Sequence, residues 1–407
     1  MKKRLSLILC AMLVISLVGC SKPAKESEVS NETPKILNSS YDEILETAKG
    51  STVNFYGYGG NEVMNKWFDS YVVPTMKEEY DITVKRVGMD IENIMNQMIS
   101  EKQVKNSKGK IDVVWINGEN FKTAKDNELL FGPFVEKLPN YKKYIDTTSE
   151  DMITDFGTKV DGMEAPWGKA QFAVVADTSK VKSEIVNTED LKKFVEANPG
   201  KFTYPALPDF TASAFVRNVI YDIVGYENVA NLPEDEKEVK KAIQPAIDYL
   251  NEIKPYLWKE GKTYPSTISQ LDNMYSDGEV YFTMTYSPNT LLGRIDSGEF
   301  NKDTKVLEFD KGNISNTHFL AIPQNSQNQA GAMVLIDFLT STDAQGAKTD
   351  TKNWGDSTVL DMDKVSSEDK KKFSETVKIE KSVPELKAGL VPIIEKIWTE
   401  EVLESEK

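Results

Sequence analysis

Residues 52–118 read TVNFYGYGGNEVMNKWFDSYVVPTMKEEYDITVKRVGMDIENIMNQMISEKQVKNSKGKIDVVWING. Three short runs within it, Thr52–Tyr56, Ile82–Val87 and Ile111–Ile116, are rich in β-branched and aromatic residues, which suit a pleated, half-buried surface. Two helical patterns separate them. Asn61–Tyr80 places Val63, Trp67, Tyr71 and Met76 at helical spacing, with Pro74 as a break or kink, and Asp90–Lys105 carries Ile91, Ile94, Met95, Met98 and Ile99 as one stripe. Strand and helix in alternation predict an α/β fold with an open, mainly parallel sheet covered by helices.

The pattern continues downstream. Residues 165–171 (APWGKAQ) read as a break before a strand at 172–176. Residues 190–197 read as a helix, 202–206 as a strand and 211–224 as an apolar helix. A helical region at 233–256 is interrupted at Pro245; strands follow at 280–286 and 318–322, and an apolar helix at 330–339. From Lys364 to Glu404 the reading is mostly charged helix, with Leu390, Ile393, Ile394, Ile397 and Trp398 as its apolar face.

Upstream, MKKRLSLILCAMLVISLVGC has a basic start, an apolar stretch too short for a comfortable membrane span, and a small residue before Cys20. Residues 1–19 are therefore expected to be a signal peptide. Leu17-Val18-Gly19-Cys20 resembles a lipobox, which makes Cys20 the expected lipidation site and the membrane its anchor. Residues 20–40, rich in Ser, Lys, Glu, Pro and Asn, read as a flexible linker.

Composition removes several function classes. The net charge of −15 argues against nucleic acid as a partner and favours a soluble monomer. The cysteines are Cys10 and Cys20, and the one histidine is His318. A Cys-His nucleophile pair and a His-rich zinc or iron site are thereby excluded. His318 begins an apolar strand and reads as a hydrogen-bonded structural residue. No phosphate-binding or dinucleotide motif is complete, and no cofactor or metal is expected. A pair of Asp or Glu side chains acting on glycans remains open at this level.

What stands out instead is a set of polar and aromatic residues at the ends of elements, where ligands of open α/β sheets bind. Tyr56, Tyr58, Gly59 and Asn61 surround the first strand-to-helix turn. Trp115, Asn117, Glu119 and Asn120 follow the third strand, where Asn117 either caps the helix or faces a ligand. Trp167, Lys169 and Gln171 precede a strand. Asp209, Thr211 and Ser213 open the apolar helix, Tyr286 ends a strand, and Trp354 lies in NWGD. Such residues can stack on and hydrogen-bond an organic solute, or can be core edges and caps.

With these residues in place, the chain resembles the bacterial extracytoplasmic solute-binding proteins of ABC importers. The likeness is strongest in HFLAIPQNSQNQAGAMVLIDFLTSTDAQGA (318–347), with DVVW (112–115) and GEVYFTM (278–284) in support. NFYGYGG, NGENF and APWGKAQF are similar to a YnjB-type subgroup. The resemblance implies a type II periplasmic-binding-protein-like fold. Lobe 1 would comprise 41–168 and 290–348, lobe 2 would comprise 169–289 and 349–407, and a ligand cleft would lie between them. It implies a non-enzymatic receptor that delivers a small solute to a permease and its ATPase. A cationic or aromatic, thiamine-like or polyamine-like solute is the leading expectation, with a sugar as the alternative.

Overall fold

The computed structural model describes residues 35–374 and 379–405. The leader, Cys20 and the linker up to residue 34 lie outside them. Lys35–Asn38 forms a 3-10 turn that buries Leu37, and Ser40 caps the helix Tyr41–Ala48 in a reciprocal box with Glu43. The folded body thus reaches a few residues into the stretch read as linker.

The strands are β1 (Thr52–Gly57), β2 (Thr83–Gly88), β3 (Val113–Ile116), β4 (Thr154–Asp155), β5 (Thr158–Lys159), β6 (Glu164–Gln171), β7 (Ala173–Asp177), β8 (Phe282–Thr285), β9 (Thr304–Leu307), β10 (Asn313–Ala321) and β11 (Ser382–Pro384). The larger sheet runs β11-β10-β3-β1-β2, with β6 also on β10. β1 is parallel to both β2 and β3, as the alternation of helix and strand requires. β10 is antiparallel to β3 and β6. This sheet is lobe 1, and its core takes in Val53, Phe55 and the buried helix Gln329–Leu339.

The smaller sheet is lobe 2: β7 lies between β8 and β9, antiparallel to each. Its core is filled by the helices Phe210–Ile223 and Glu236–Ile253 and by Ile394, Ile397 and Trp398. Because β9 pairs with β7, residues 304–307 belong to this sheet and not to lobe 1, where the sequence reading put them. Conversely Trp354, Val359, Leu360 and Val365 pack in the lobe 1 core, so the early part of 349–407 stays with the first lobe. From Val383 onward its apolar residues join lobe 2.

Several local expectations change. Residues 165–171 are no break: β6 accommodates Pro166 where its register with β10 shifts between His318 and Phe319. Residues 202–206 form no strand, because their carbonyls are taken by Trp258 and other loop groups without a ladder. The Pro74 region continues helically through a π turn, Phe68–Val72, in which Val73 N–H reaches Phe68 O. Pro245 lies inside an unbroken helix. The charged C-terminal stretch is mostly short turns, with one helix at Leu390–Trp398. Its Lys and Glu residues have helical propensity, but few apolar residues anchor it before Leu386.

The two lobes meet where the β6–β10 ladder ends. Phe172 N–H donates to Ile314 O at 2.7 Å, and Gln171 N–H to Tyr286 O at 2.9 Å. On the lobe 1 side of this crossing sits a buried ion cluster. Asp356 accepts from His318 Nε2 at 2.9 Å and Lys348 Nζ at 2.6 Å, and Lys348 also donates to the carbonyls of Trp167 and Ser357. Burial opposes the Asp356 charge, but His318 and Lys348 outweigh it and hold the carboxyl below its usual range. A Cβ on Gly168 would fall 1.8 Å from His318 Nε2, so only glycine lets β6 pass. Replacing Asp356 by Leu strands the Lys348 ammonium. A loss of about 3–5 kcal/mol in urea unfolding is expected, and a loss below 1 kcal/mol would show that the cluster is not held as described.

Candidate functional site

The site is built from the turn after β3. Gly118 has φ +59, and its N–H donates to Asp155 Oδ2 at 2.5 Å. This ties the start of the helix Gly118–Asp126 to the β4–β5 hairpin. Both central hairpin residues, Phe156 (φ 42) and Gly157 (φ 71), have positive φ, as in a type I′ turn. A phenylalanine there is strained by about 1–2 kcal/mol. Its placement is over-determined by packing: the ring lies against Ala388 and Val391, and its carbonyl accepts from Ala388 N–H at 2.8 Å. The hairpin tip of lobe 1 therefore rests on the C-terminal segment that completes lobe 2.

Across from it, the helix Phe210–Ile223 presents Ser213 and Arg217 one turn apart. Arg217, 1% exposed, grips Glu385 with two bonds of 2.8 and 2.9 Å and donates to Ser213 Oγ at 2.5 Å. Ser213 Oγ donates to Glu395 at 2.6 Å, and the Tyr286 hydroxyl to Glu385 at 3.1 Å. The guanidinium lies 5.8 Å from the Phe156 ring centre, and Phe210 lies 6.5 Å from Phe156 and 5.0 Å from Tyr286.

The electrostatics are lopsided. Glu119 is pushed up to about 7, chiefly by burial, with Glu395 and Glu385 adding to the shift and Arg217 opposing it. Burial also raises Asp155, reinforced by Glu119 and Glu385, and raises Glu395. Glu164 is raised by burial and by Asp155. Arg217 is held charged against burial by Glu385 and Tyr286. Among the described residues Glu119 Oε2 and Asp155 Oδ1 have no hydrogen-bond partner, although Glu119 Oε1 accepts from Asn120.

Of the residues expected from sequence, Glu119, Asn120, Ser213 and Tyr286 come together here. Asp209 lies at the same helix start, where its carboxylate accepts from the N–H groups of Thr211, Ala212 and Ile268 and so caps two helices. Thr211 is buried beside it. Tyr58 is 43% exposed, and Ser269, Asp272 and Asp209 of lobe 2 act on its hydroxyl. The remaining residues have structural partners. Asn61 caps its helix through Met64 N–H, and Gly59 allows close approach to Gly88. Tyr56 packs at the edge of a lobe 1 core cluster. Asn117 donates to Thr317 O and does not cap. Lys169 pairs with Asp151, and Gln171 bonds both backbone groups of Ile379. Trp115, Trp167 and Trp354 pack around His318, with ring centres 5.0 to 5.8 Å apart.

Sequence reading missed Asp155, Phe156, Phe210, Arg217, Glu385 and Glu395. A lone arginine in the apolar run FTASAFVRNVIYDI was the available signal, since such a residue is rarely buried unpaired. The carboxylates gave none among so many surface acids.

A carboxyl held near 7 when folded, against an ordinary 4.5, binds its proton more tightly in the folded state. Its stabilising contribution is complete below pH 4.5 and is lost as the pH rises towards 7. Denaturant unfolding from pH 5 to 8 is expected to cost the wild-type protein about 1–3 kcal/mol relative to Glu119→Gln. Superimposable pH profiles for the two proteins would contradict this placement of Glu119.

Residues 72–363 match the family model described as bacterial extracellular solute-binding protein. The chain is 33% identical to protein YnjB of Escherichia coli over 366 residues, 88% of this chain and 93% of that one. Among solved structures it is similar to the spermidine/putrescine substrate-binding protein PotD of Streptococcus pneumoniae, with TM-score 0.60, 14% identity, and coverage of 86% of this chain and 99% of the other. It is equally similar to the periplasmic binding protein AfuA of Actinobacillus pleuropneumoniae, solved with fructose-6-phosphate, with TM-score 0.60, 13% identity, and coverage of 87% and 99%. These identities carry the two-lobe fold alone. The family match and the YnjB relationship each span most of the described body, and by them the chain belongs to the bacterial extracellular solute-binding proteins, whose place is outside the cytoplasm.

Proposed function

We propose that the protein is the receptor of an ABC importer and captures a small organic cation between its lobes. The observation that carries the charge assignment is the gathering of Glu119, Glu385 and Glu395 around a single guanidinium, Arg217, with Asp155 beside Glu119 and carboxylate oxygens to spare. A positive solute relieves that imbalance, and Phe210 and Tyr286 supply aromatic surface beside it. The same acids would repel a phosphorylated or carboxylated solute. A sugar reading loses its main support, since Trp167 and Trp354 are buried and Trp115 packs against them.

Capture by closure needs no catalysis. Groups of both lobes meet at the site, so a solute touching both favours the closed arrangement. The lipobox-like sequence at Cys20, outside the described residues, would tether the receptor near its permease. Among the described residues no helix is long and apolar enough to cross a membrane.

Native mass spectrometry of protein purified without refolding is expected to show a retained organic cation. A thermal-shift panel of polyamines, thiamine, sugars and sugar phosphates is expected to respond to cations alone. A response confined to neutral or anionic solutes would refute the charge assignment, and turnover of a glycan would refute the receptor.

A further inference from the structure

The unpaired oxygens say more than the sign of the ligand's charge. Asp155 is 1% exposed; one of its oxygens accepts from Gly118 N–H, and the other accepts from nothing. Glu119 is in the same condition, with Asn120 on Oε1 and no partner on Oε2. A buried acceptor without a donor costs about 1–3 kcal/mol. What suits these atoms is a donor, and a cation without hydrogen on nitrogen cannot supply one.

Two other kinds of cation fit less well. A quaternary ammonium is held by a cage of aromatic faces, but Trp115, Trp167 and Trp354 are gathered around His318, where Trp354 stacks on the imidazole at 9°. A metal ion needs convergent ligands, and among the described residues no group of three His, Cys, Asp or Glu side chains is placed to hold one.

We propose that the site selects its solute by N–H groups: a primary ammonium, amidinium or guanidinium donates to Glu119 Oε2 and Asp155 Oδ1. This rests on the cation reading above and narrows it. The exchange is balanced. Where Glu119 carries a proton, its carboxyl O–H breaks on binding and the proton passes to solvent, while the ligand keeps every N–H and remains a cation. Arg217 and Glu385 stay paired throughout.

The groups facing this pair come from every packed element. They are Arg217 on its helix, Glu385 after β11, Glu395 on the last helix and Glu164 on β6, which Lys125 approaches. Glu92 of lobe 1 adds a further negative charge towards Glu395. Burial, with Glu395 and Glu385 adding to it, pushes Glu119 up to about 7, which supports the release of a proton there when an N–H cation binds.

The test is isothermal titration of the full chain with tyramine, putrescine and agmatine, alongside the N-trimethylated forms of the first two. Titrations are run at pH 6 and pH 8, in phosphate and in imidazole buffer. The expected result is N–H cations binding 10–100-fold tighter than their trimethylated forms. Buffer-dependent heats should show release of up to one proton at pH 6 and little at pH 8. Glu119→Gln and Asp155→Asn, each checked for a cooperative thermal transition, should weaken binding at least tenfold, and Glu119→Gln should abolish the buffer dependence.

Trimethylated forms that bind as tightly would overturn the N–H selection and leave the cation reading standing. Unchanged affinity in both variants would do the same, as would heats independent of buffer at pH 6. Binding of glucose or fructose-6-phosphate in place of every amine would remove the cation reading itself, and silence across amines, sugars and sugar phosphates counts against both.

Discussion

The antiparallel ladder of β6 on β10 is the constraint on which the rest of the molecule depends. It pairs Glu164–Gln171 with Ser315–Ala321, and both strands leave the ladder at the same end to enter lobe 2. A slip of one residue would turn every side chain to the opposite face, so the register must be fixed. The bulge between His318 and Phe319 and the glycine at 168 fix it. Lys348 and Asp356 then clamp the outer edge of β6 through the Trp167 carbonyl and His318. Beyond Gln171 the ladder ends, and the hydrogen bonds pass to Tyr286 and Ile379.

That rigidity lets an uncompensated charge cluster persist between the lobes. Buried carboxylates of one sign repel one another and lose hydration, and one bidentate arginine does not offset several of them. Each acid is given part of what it needs: a backbone N–H for Asp155, an amide for Glu119, a hydroxyl for Glu395 and a guanidinium for Glu385. The raised carboxyl groups are the residue of this incomplete solution. A structure optimised only for stability would have replaced them with apolar residues, so their presence in the cleft argues for a ligand that completes the set.

Lobe 1 was legible in the sequence because its strands and helices alternate with clean apolar periodicity, and β1, β2, β3 and the helix Gln329–Leu339 appear close to where the pattern puts them. Lobe 2 was less so. β9 is a short strand with mixed burial, and the C-terminal segment takes its conformation from contacts with partners far off in sequence, such as Arg217 on Glu385, 168 residues away. Charged residues in such a stretch look alike whether they lie on the surface or in a cleft. Glu119, Ser213 and Tyr286 were singled out because they stand at the ends of elements. Glu385 and Glu395 were not, because only the tertiary fold distinguishes them from the other acids.

The tryptophans show why residue type alone leaves a side chain's role open. An indole at a strand end can face a ligand or close a core, and the two differ by what else needs covering there. Here His318, Lys348 and Asp356 form a buried polar cluster that requires a low-water wall, and Trp167 and Trp354 provide it with 1% and 3% exposure. Had they faced the cleft, the ion cluster at the hinge would be wet and its clamp on β6 screened. The aromatic surface left for a solute is then Phe210 and Tyr286, on the lobe 2 side, opposite the unpaired oxygens of Glu119 and Asp155 on lobe 1. A solute satisfying both must touch both lobes at once, and this is the geometric condition under which binding and closure become one event.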